Sequence, residues 1–468
     1  MKRNAIRILS LALCAVALAL PNVSAQDTAP SVEGEDDLFS DEALFGGTEE
    51  ILVEVESPAA GGAPENASLS LLKAETVKIG GSFSFELEGT GDPETWESDP
   101  LGYLTPSVGL GVDFYADARP DENFRVFVKG RMDWKPVDSG DGSATEGSTE
   151  GSSVGTAEFQ LKEAFADFMP VSGVFMRAGK QTANWGVGWF FSPANLLDLA
   201  TKDPENPEAF LPGPLAVKVQ VPVSTENYYA YALLDDAVNG GAIALAPKAE
   251  WVIGSTEIGL GTLWQQDAPW AAMTTISGKL GDLDVFAEAV LRGNEDKVFV
   301  VADASSPTGV SVETREDEVF VQGTTGFAWT WDDEEGRLGL ALRAQYFYNG
   351  LGYEDPSILS DEPMGVGGLL ASGLIGVEDL SWRSRHYGAA SLALMDIAGS
   401  DLGLSLFWLG SLFDGTGRTS VTLSWDGLDR LRLSAGYTYS YGAERSEFAP
   451  LGNGSSVSLK LSLTQGTF

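Results

Sequence analysis

Cysteine is nearly absent from this 468-residue chain, and Cys14 is the only one. That leaves no disulfide framework and no thiolate metal site. Histidine is equally scarce. His386 stands alone, so a His-based metal cluster is out of reach, and a Ser-His-Asp triad would need it beside an activated serine. No Gly-x-Ser-x-Gly elbow and no phosphate-binding loop occurs, so neither an enzyme nor a bound cofactor is expected. Positive charge is short as well: 29 Lys and Arg stand against 68 Asp and Glu, a net charge of −39. So acidic a chain repels phosphate and is not expected to bind nucleic acid. Long hydrophobic runs are missing after the first 25 residues. A chain of this kind enters a membrane only as a closed barrel, because only helices and barrels satisfy every backbone group in lipid.

The N-terminus has the layout of a secretory signal. Lys2, Arg3 and Arg7 precede a largely apolar run from Ile8 to Leu20, and Val23-Ser24-Ala25 predicts cleavage before Gln26. The run is too short for a spanning helix, which needs about 20 residues. Leu13 before Cys14 does not fit a lipoprotein cleavage point. Export by the general secretory route follows, and removing three positive charges takes the net charge from −39 to −42. Residues 26–74 then form an acidic leader. Between Gln26 and Leu72 there are twelve Asp or Glu and no Lys or Arg, which predicts disorder. Leu38-Phe39, Leu44-Phe45 and Ile51-Leu52-Val53 are apolar islands in it. They are candidates for a plug or for docking a periplasmic partner, against the plainer reading of a solvated leader.

Over 75–468 the pattern changes to period two. Val77, Ile79, Phe83, Phe85 and Leu87 share one face; Lys78, Ser82, Ser84, Glu86 and Glu88 share the other. The same alternation recurs through Leu431 to Tyr439 and Val457 to Leu463. Alternation at 180° per residue marks a strand with one apolar and one polar face. Eighteen strands are predicted, with 16 as the alternative: 77–88, 106–118, 123–134, 157–168, 174–185, 214–222, 227–234, 246–253, 256–264, 271–280, 283–293, 318–330, 337–348, 383–395, 402–411, 418–425, 430–441 and 455–464. The eighth is expected to start only after Pro247, which cannot donate to a ladder. Links alternate between short and long, as in transmembrane barrels with tight turns on one side. The fold class expected is all-β, a transmembrane antiparallel up-and-down barrel.

Aromatic side chains cluster at predicted strand ends. Trp134, Trp264, Tyr346, Tyr437 and Tyr439 fall on the long-loop side; Trp329, Trp331 and Trp425 fall on the short-turn side. Two girdles at the membrane–water interfaces are expected. A terminal Phe468 resembles the C-terminal signal read by the barrel-insertion machinery, although it is out of phase with Val457 to Leu463 unless a bulge intervenes.

Arg177-Ala178-Gly179-Lys180-Gln181-Thr182-Ala183-Asn184-Trp185-Gly186, with Phe191-Ser192-Pro193 after it, is similar to the R-x-G-x-Q…W-G strand of porin-like outer-membrane proteins of diderm bacteria. Leu161 to Phe168 before it resembles the strand that pairs with it there. Asp36-Asp37-Leu38-Phe39 resembles the leader of spirochaete-type relatives. The close match covers about 35 residues. The resemblance implies passive passage of solutes and leaves the solute open.

The predicted inward phase mixes both signs. Arg125, Lys129, Arg131, Arg177, Gln181, Arg337, Arg343, Arg383, Arg385, Arg430 and Arg432, with Asp113, Asp117 and Glu288, are candidates to line a pore. For Arg177 and Gln181 a structural pair locking the wall weighs equally. The alternatives are a barrel that anchors adhesive loops or tethers a periplasmic partner, and a plugged transporter of a hydrophobic substrate. Glu295-Asp296, Glu313 to Glu318 and the loop from Asp138 to Glu150 could bind calcium, but solvated loop faces are expected. The partners expected are outer-membrane lipid, small hydrophilic solutes and, with no residue to specify it, a second copy in a homo-oligomer.

Overall fold

The computed structural model describes residues 77–91, 105–121, 123–135, 156–333, 335–428, 431–450 and 452–464. The signal and leader over 1–74, the loop from Asp138 to Glu150, Arg430 and Phe468 lie outside the described residues.

The wall opens with β1 (Val77–Gly91), β2 (Thr105–Asp121), β3 (Phe124–Lys135), β4 (Thr156–Val171) and β5 (Val174–Lys180). It continues through β6 (Leu215–Val223), β7 (Glu226–Leu233), β8 (Ala244–Ile253), β9 (Thr256–Leu263), β10 (Trp270–Leu280) and β11 (Leu283–Gly293). A loop hairpin follows, β12 (Val298–Ala302) with β13 (Val310–Thr314). The wall resumes with β14 (Val319–Asp332), β15 (Gly339–Asn349), β16 (His386–Met395), β17 (Leu402–Ser411), β18 (Gly417–Leu428), β19 (Leu431–Tyr441) and β20 (Gly454–Thr464). Between β15 and β16 lie two short helices, α1 (Ile358–Asp361) and α2 (Pro363–Ala371). Among the described residues no helix is long and apolar enough to cross a membrane.

Wall strands pair antiparallel in sequence order, and β20 returns to pair with β1 from Val457↔Gly91 to Thr464↔Ser84. The sheet therefore closes on itself as an 18-stranded up-and-down barrel, and the 16-stranded alternative falls away. Closure leaves no strand edge unpaired.

Period two separates the two faces. Ile79 on β1 is 61% exposed and Leu280 on β10 is 69% exposed, with Phe83, Leu87, Leu260, Leu423 and Leu459 on the same outward phase. This apolar belt goes round the barrel, far beyond the patch size that soluble monomers expose. Lipid is the solvent that suits it. The eight aromatic residues predicted for the girdles sit on this outward phase near strand ends. Trp134, Trp264, Tyr346, Tyr437 and Tyr439 are at the long-loop rim, and Trp329, Trp331 and Trp425 are at the short-turn rim. His386 is outward too, its Nδ1 2.7 Å from the Tyr346 hydroxyl.

Four local features differ from expectation. β8 starts at Ala244, before Pro247, because its pairing with β7 runs on through Ala230↔Pro247. Only the ladder to β9 breaks there, resuming as the isolated Leu245–Trp264 bridge, as a missing N–H requires. β5 stops at Lys180 rather than 185. Gly179 has φ +134°, and a Cβ on it would run into the backbone of Ala164 and Phe165 on β4. The chain turns inward at that point. The β12–β13 hairpin and the two helices add secondary structure to two of the long links. They share an apolar core of Phe299, Val310, Tyr353, Leu359, Val366 and Leu369.

Candidate functional site

The link from Gln181 to Pro214 does not stay outside the barrel. Its sequence explains why. Trp185, Trp189, Phe190, Phe191, Leu196 and Leu197 are too apolar for a solvated loop. Trp185, Leu196 and Leu197 pack on Tyr231, Ala246, Met273 and Val290, all on the inward phase of β7 to β11. Phe190 and Phe191 pack on Phe347, Tyr387 and Leu409 of β15 to β17. The loop thus lies across the lumen against the inner wall.

Two polar side chains hold it there. Glu288, at the midpoint of β11, is 4% exposed. Its Oε1 accepts from the Val187 and Gly188 N–H groups, each at 2.6 Å, and from Ser192 Oγ at 3.0 Å; its Oε2 accepts from the Ala194 N–H at 2.8 Å. A buried carboxylate with four donors is a charge-assisted clamp. Gln345 on β15 is 5% exposed. Its Oε1 accepts from the Phe190 N–H at 2.7 Å, and its Nε2 donates to the Phe191 carbonyl and to Thr324 Oγ1. A Cβ on Gly186 would collide with Ser192 Oγ and come within 2.8 Å of Glu288 Oε1, so only glycine lets this backbone so close to the clamp.

Further along, the loop carries its own buried charges. Burial pushes the Asp198 carboxyl up to about 7, against the pull of Lys202 and of Asn195, whose Nδ2 donates to it. Lys202 donates to the Gly188 carbonyl at 3.1 Å, and burial lowers its ammonium despite Glu288, Asp198 and Glu208 nearby. The loop tip reaches the wall at Arg418, which pairs with Glu205 at 2.6 Å. Between this tip and the rim loops lies a cavity of about 530 Å³ lined by Asp203, Glu205, Trp382, Arg383, Arg445 and Glu447.

The predicted inward residues fall into three groups. Arg125, Arg131, Asp113, Asp117 and Arg177 do line β2 to β5, but as a ladder of ion pairs. Arg125 meets Asp117 at 2.9 Å, Arg131 meets Asp113 and Asp133 at 2.8 Å each, and Arg177 meets Asp167 at 2.6 Å. Lys129 lies inward beside Glu163 and Tyr115 in register. Glu288 and Gln181 are inward yet sealed. Gln181 is 1% exposed and donates to the Ala216 carbonyl at 3.1 Å, while the Arg177 guanidinium is taken by Asp167. Arg343 lies over the Trp189 ring, 4.1 Å from its centre. The third group stands at the rims. Arg337 lies before β15 begins, in a short turn, paired with Asp333 and Glu335. Arg383 donates to the Arg445 carbonyl and Arg385 pairs with Glu354, both at the long-loop rim. Arg432 pairs with Asp426 at the short-turn rim. Of the calcium candidates, Glu295 faces Arg292 at 3.8 Å and Glu313 faces Arg315 at 3.0 Å.

Sequence reading missed Gln345, Arg418 and Lys460, and one whole sector. On β18 to β20 and β1, and at Gly403 and Ser405 of β17, many inward side chains are small and hydroxylated. Register aligns them into rungs: Ser405–Thr422–Gly436–Ser458–Thr90, then Gly403–Ser424–Ser434–Lys460–Glu88. None of these ten is buried. The rung Thr275–Glu288–Thr324–Phe347–Tyr387–Ser411 on the other side is buried throughout. The signal was present as serines on the polar phase of the last strands.

No family model matches the chain, and no curated protein matches it. Among solved structures it is similar to the Acinetobacter baumannii protein OccAB1, at 11% identity and a TM-score of 0.46, covering 83% of this chain and 96% of that one. It is also similar to OpdK of Pseudomonas aeruginosa, solved with vanillate, at 11% identity and a TM-score of 0.47, covering 84% and 99%. A BenF-like porin from Pseudomonas fluorescens Pf-5 gives 10% identity and a TM-score of 0.46, covering 84% and 99%. These likenesses fix no solute for this chain.

Proposed function

We propose that the chain is an outer-membrane channel for passive diffusion of small hydrophilic solutes. One observation carries this reading: a closed barrel with an apolar outside keeps a polar, solvent-accessible inner sector that the inserted loop leaves largely uncovered. Eighteen strands enclose a lumen wide enough for water. The loop narrows that lumen at mid-height, because Glu288 and Gln345 clamp it near the centres of their strands.

The remaining assignments belong to the same proposal. Residues 1–25 are the secretory signal, 26–74 a periplasmic leader and 75–468 the barrel. The outward aromatics anchor it at the two interfaces, and Phe468 presents the last strand to the insertion machinery. The ion-paired residues of β2 to β5 face the lumen, and the rim arginines stand at its mouths. No catalytic role is assigned to any side chain.

Proteoliposomes carrying the purified, folded chain should swell in isotonic sorbitol, while liposomes without it should not. Failure of a heat-modifiable, folded barrel to admit sorbitol would favour the anchoring reading. A plugged transporter would instead need an apolar lumen, and the uncovered sector has none.

A further inference from the structure

We propose that solutes cross off-centre, along the hydroxyl-lined sector of β18 to β20 and β1, and that this track favours uncharged polyhydroxylated solutes. The inference rests on the channel reading above and names its route and solute class.

Two observations locate the route. The inserted loop packs against the inward side chains of β7 to β11 and β15 to β17, where Ala246, Val290, Tyr387 and Ala389 are 0–2% exposed. Solute has no room there. On the opposite sector serine, threonine and glycine recur on the inward phase, joined by Arg418, Arg432, Lys460, Glu86 and Glu88, and the two rungs above remain accessible to water. Short side chains keep that side wide.

The lining chemistry sets the class. From Arg418 to Ser424 on β18, and over the described inward positions of β19, β20 and β1, there is no aromatic and no aliphatic side chain. Stacking or greasy contact with a ring is therefore unavailable. A hydroxyl donates once and accepts twice, so a ladder of them replaces the hydration of a polyol without preferring either sign of charge. The basic groups Lys460, Arg432 and Arg418 of this sector are each paired. Lys460 meets Glu86 at 3.0 Å with Glu88 across from it, Arg432 meets Asp426 at 2.7 Å, and Arg418 meets Glu205 at 2.6 Å. A route lined this way presents no ring of one sign to select ions.

Single-cysteine variants test the route, since Cys14 is the only native cysteine. In a Cys14→Ser background, Thr422→Cys and Ser458→Cys mark the open sector; Ala246→Cys and Ala389→Cys mark the covered one. Each is checked for heat-modifiable folding and then exposed to a charged methanethiosulfonate in a planar bilayer. Stepwise loss of conductance is expected for Thr422→Cys and Ser458→Cys, and no change for the covered pair. Block at Ala246→Cys or Ala389→Cys with none at the open pair overturns the route while leaving the channel reading intact. A folded barrel that never conducts removes both. For solute class, native protein in proteoliposomes should admit sorbitol at least as fast as gluconate or glucosamine. Its reversal potential in a KCl gradient should lie near zero. A clear preference for gluconate or glucosamine, or a reversal potential near the ideal value for either ion, overturns the class.

Discussion

Two sectors of one barrel are built from the same strand pattern and end in opposite conditions. Along β7 to β17 the inward phase carries Tyr231, Met273, Val290, Phe347 and Tyr387, and a loop is packed onto it. Along β18 to β1 the inward phase carries Ser420, Thr422, Ser434 and Ser458, and among the described residues the inserted loop meets it at its tip, where Glu205 pairs with Arg418. Period two decides which residues point inward on both sides. What differs is the chemistry placed on that phase. Apolar inward positions recruit a segment of chain to leave water, and hydroxylated ones keep their water. The contrast shows how a lumen becomes eccentric without any change in wall geometry.

The clamp is the place to break the contrast with the largest effect. Glu288→Ala leaves the Val187, Gly188 and Ala194 N–H groups without their acceptor, and a buried polar group left bare costs about 1–3 kcal/mol each. The loop over 186–194 should detach, raising single-channel conductance and current noise and opening the loop to protease. Unchanged conductance with full protease protection would show that the carboxylate does not hold it. Gln345→Leu removes the acceptor of Phe190 and the donor to Phe191, two groups at about 1–3 kcal/mol each against three for Glu288→Ala, and no charge-assisted bond is lost with them. It should bring intermediate noise with the loop mostly protected.

pH sharpens the same comparison. The Asp198 carboxyl ionises near 7 in the packed loop and near its ordinary 3.8 once released. Between those values the packed loop binds the extra proton, so its stability falls as pH rises from about 4 to 7 and levels off above that. Protease protection of the loop should be stronger at pH 4.5 than at pH 7.5. Asp198→Asn should flatten that difference. A wild-type difference that persists in the variant would place the titrating group elsewhere, and not at Lys202, whose lowered ammonium would weaken the packed loop at low pH. The open sector should be the least sensitive. The Lys460–Glu86 pair is half-exposed, and such pairs contribute about 0–1 kcal/mol. Lys460→Gln should leave thermal unfolding of the barrel within experimental error, and a large fall would mean that the pair carries the seam.

Much of the wall was legible because one residue in two must face lipid. Each of the eighteen strands follows from that alternation, and the phase of Tyr437 or Trp331 follows with it. The site was legible only in part. Glu288 reads as an inward acid, but its four donors come from residues about 100 positions away, and no local pattern specifies them. Gln345 is likewise one polar residue on an alternating strand until Phe190 and Phe191 arrive. The usable clue was the apolar run from Trp185 to Leu197 in a link expected to be wet. Pro247 misled for a different reason. It breaks one of two ladders, and the other is enough to keep β8 in place.

The most direct test is a planar-bilayer recording of the purified barrel. Discrete conductance steps are predicted, larger in Glu288→Ala than in the native chain. A correctly folded barrel that stays electrically silent in both forms would contradict the claim that water runs through it.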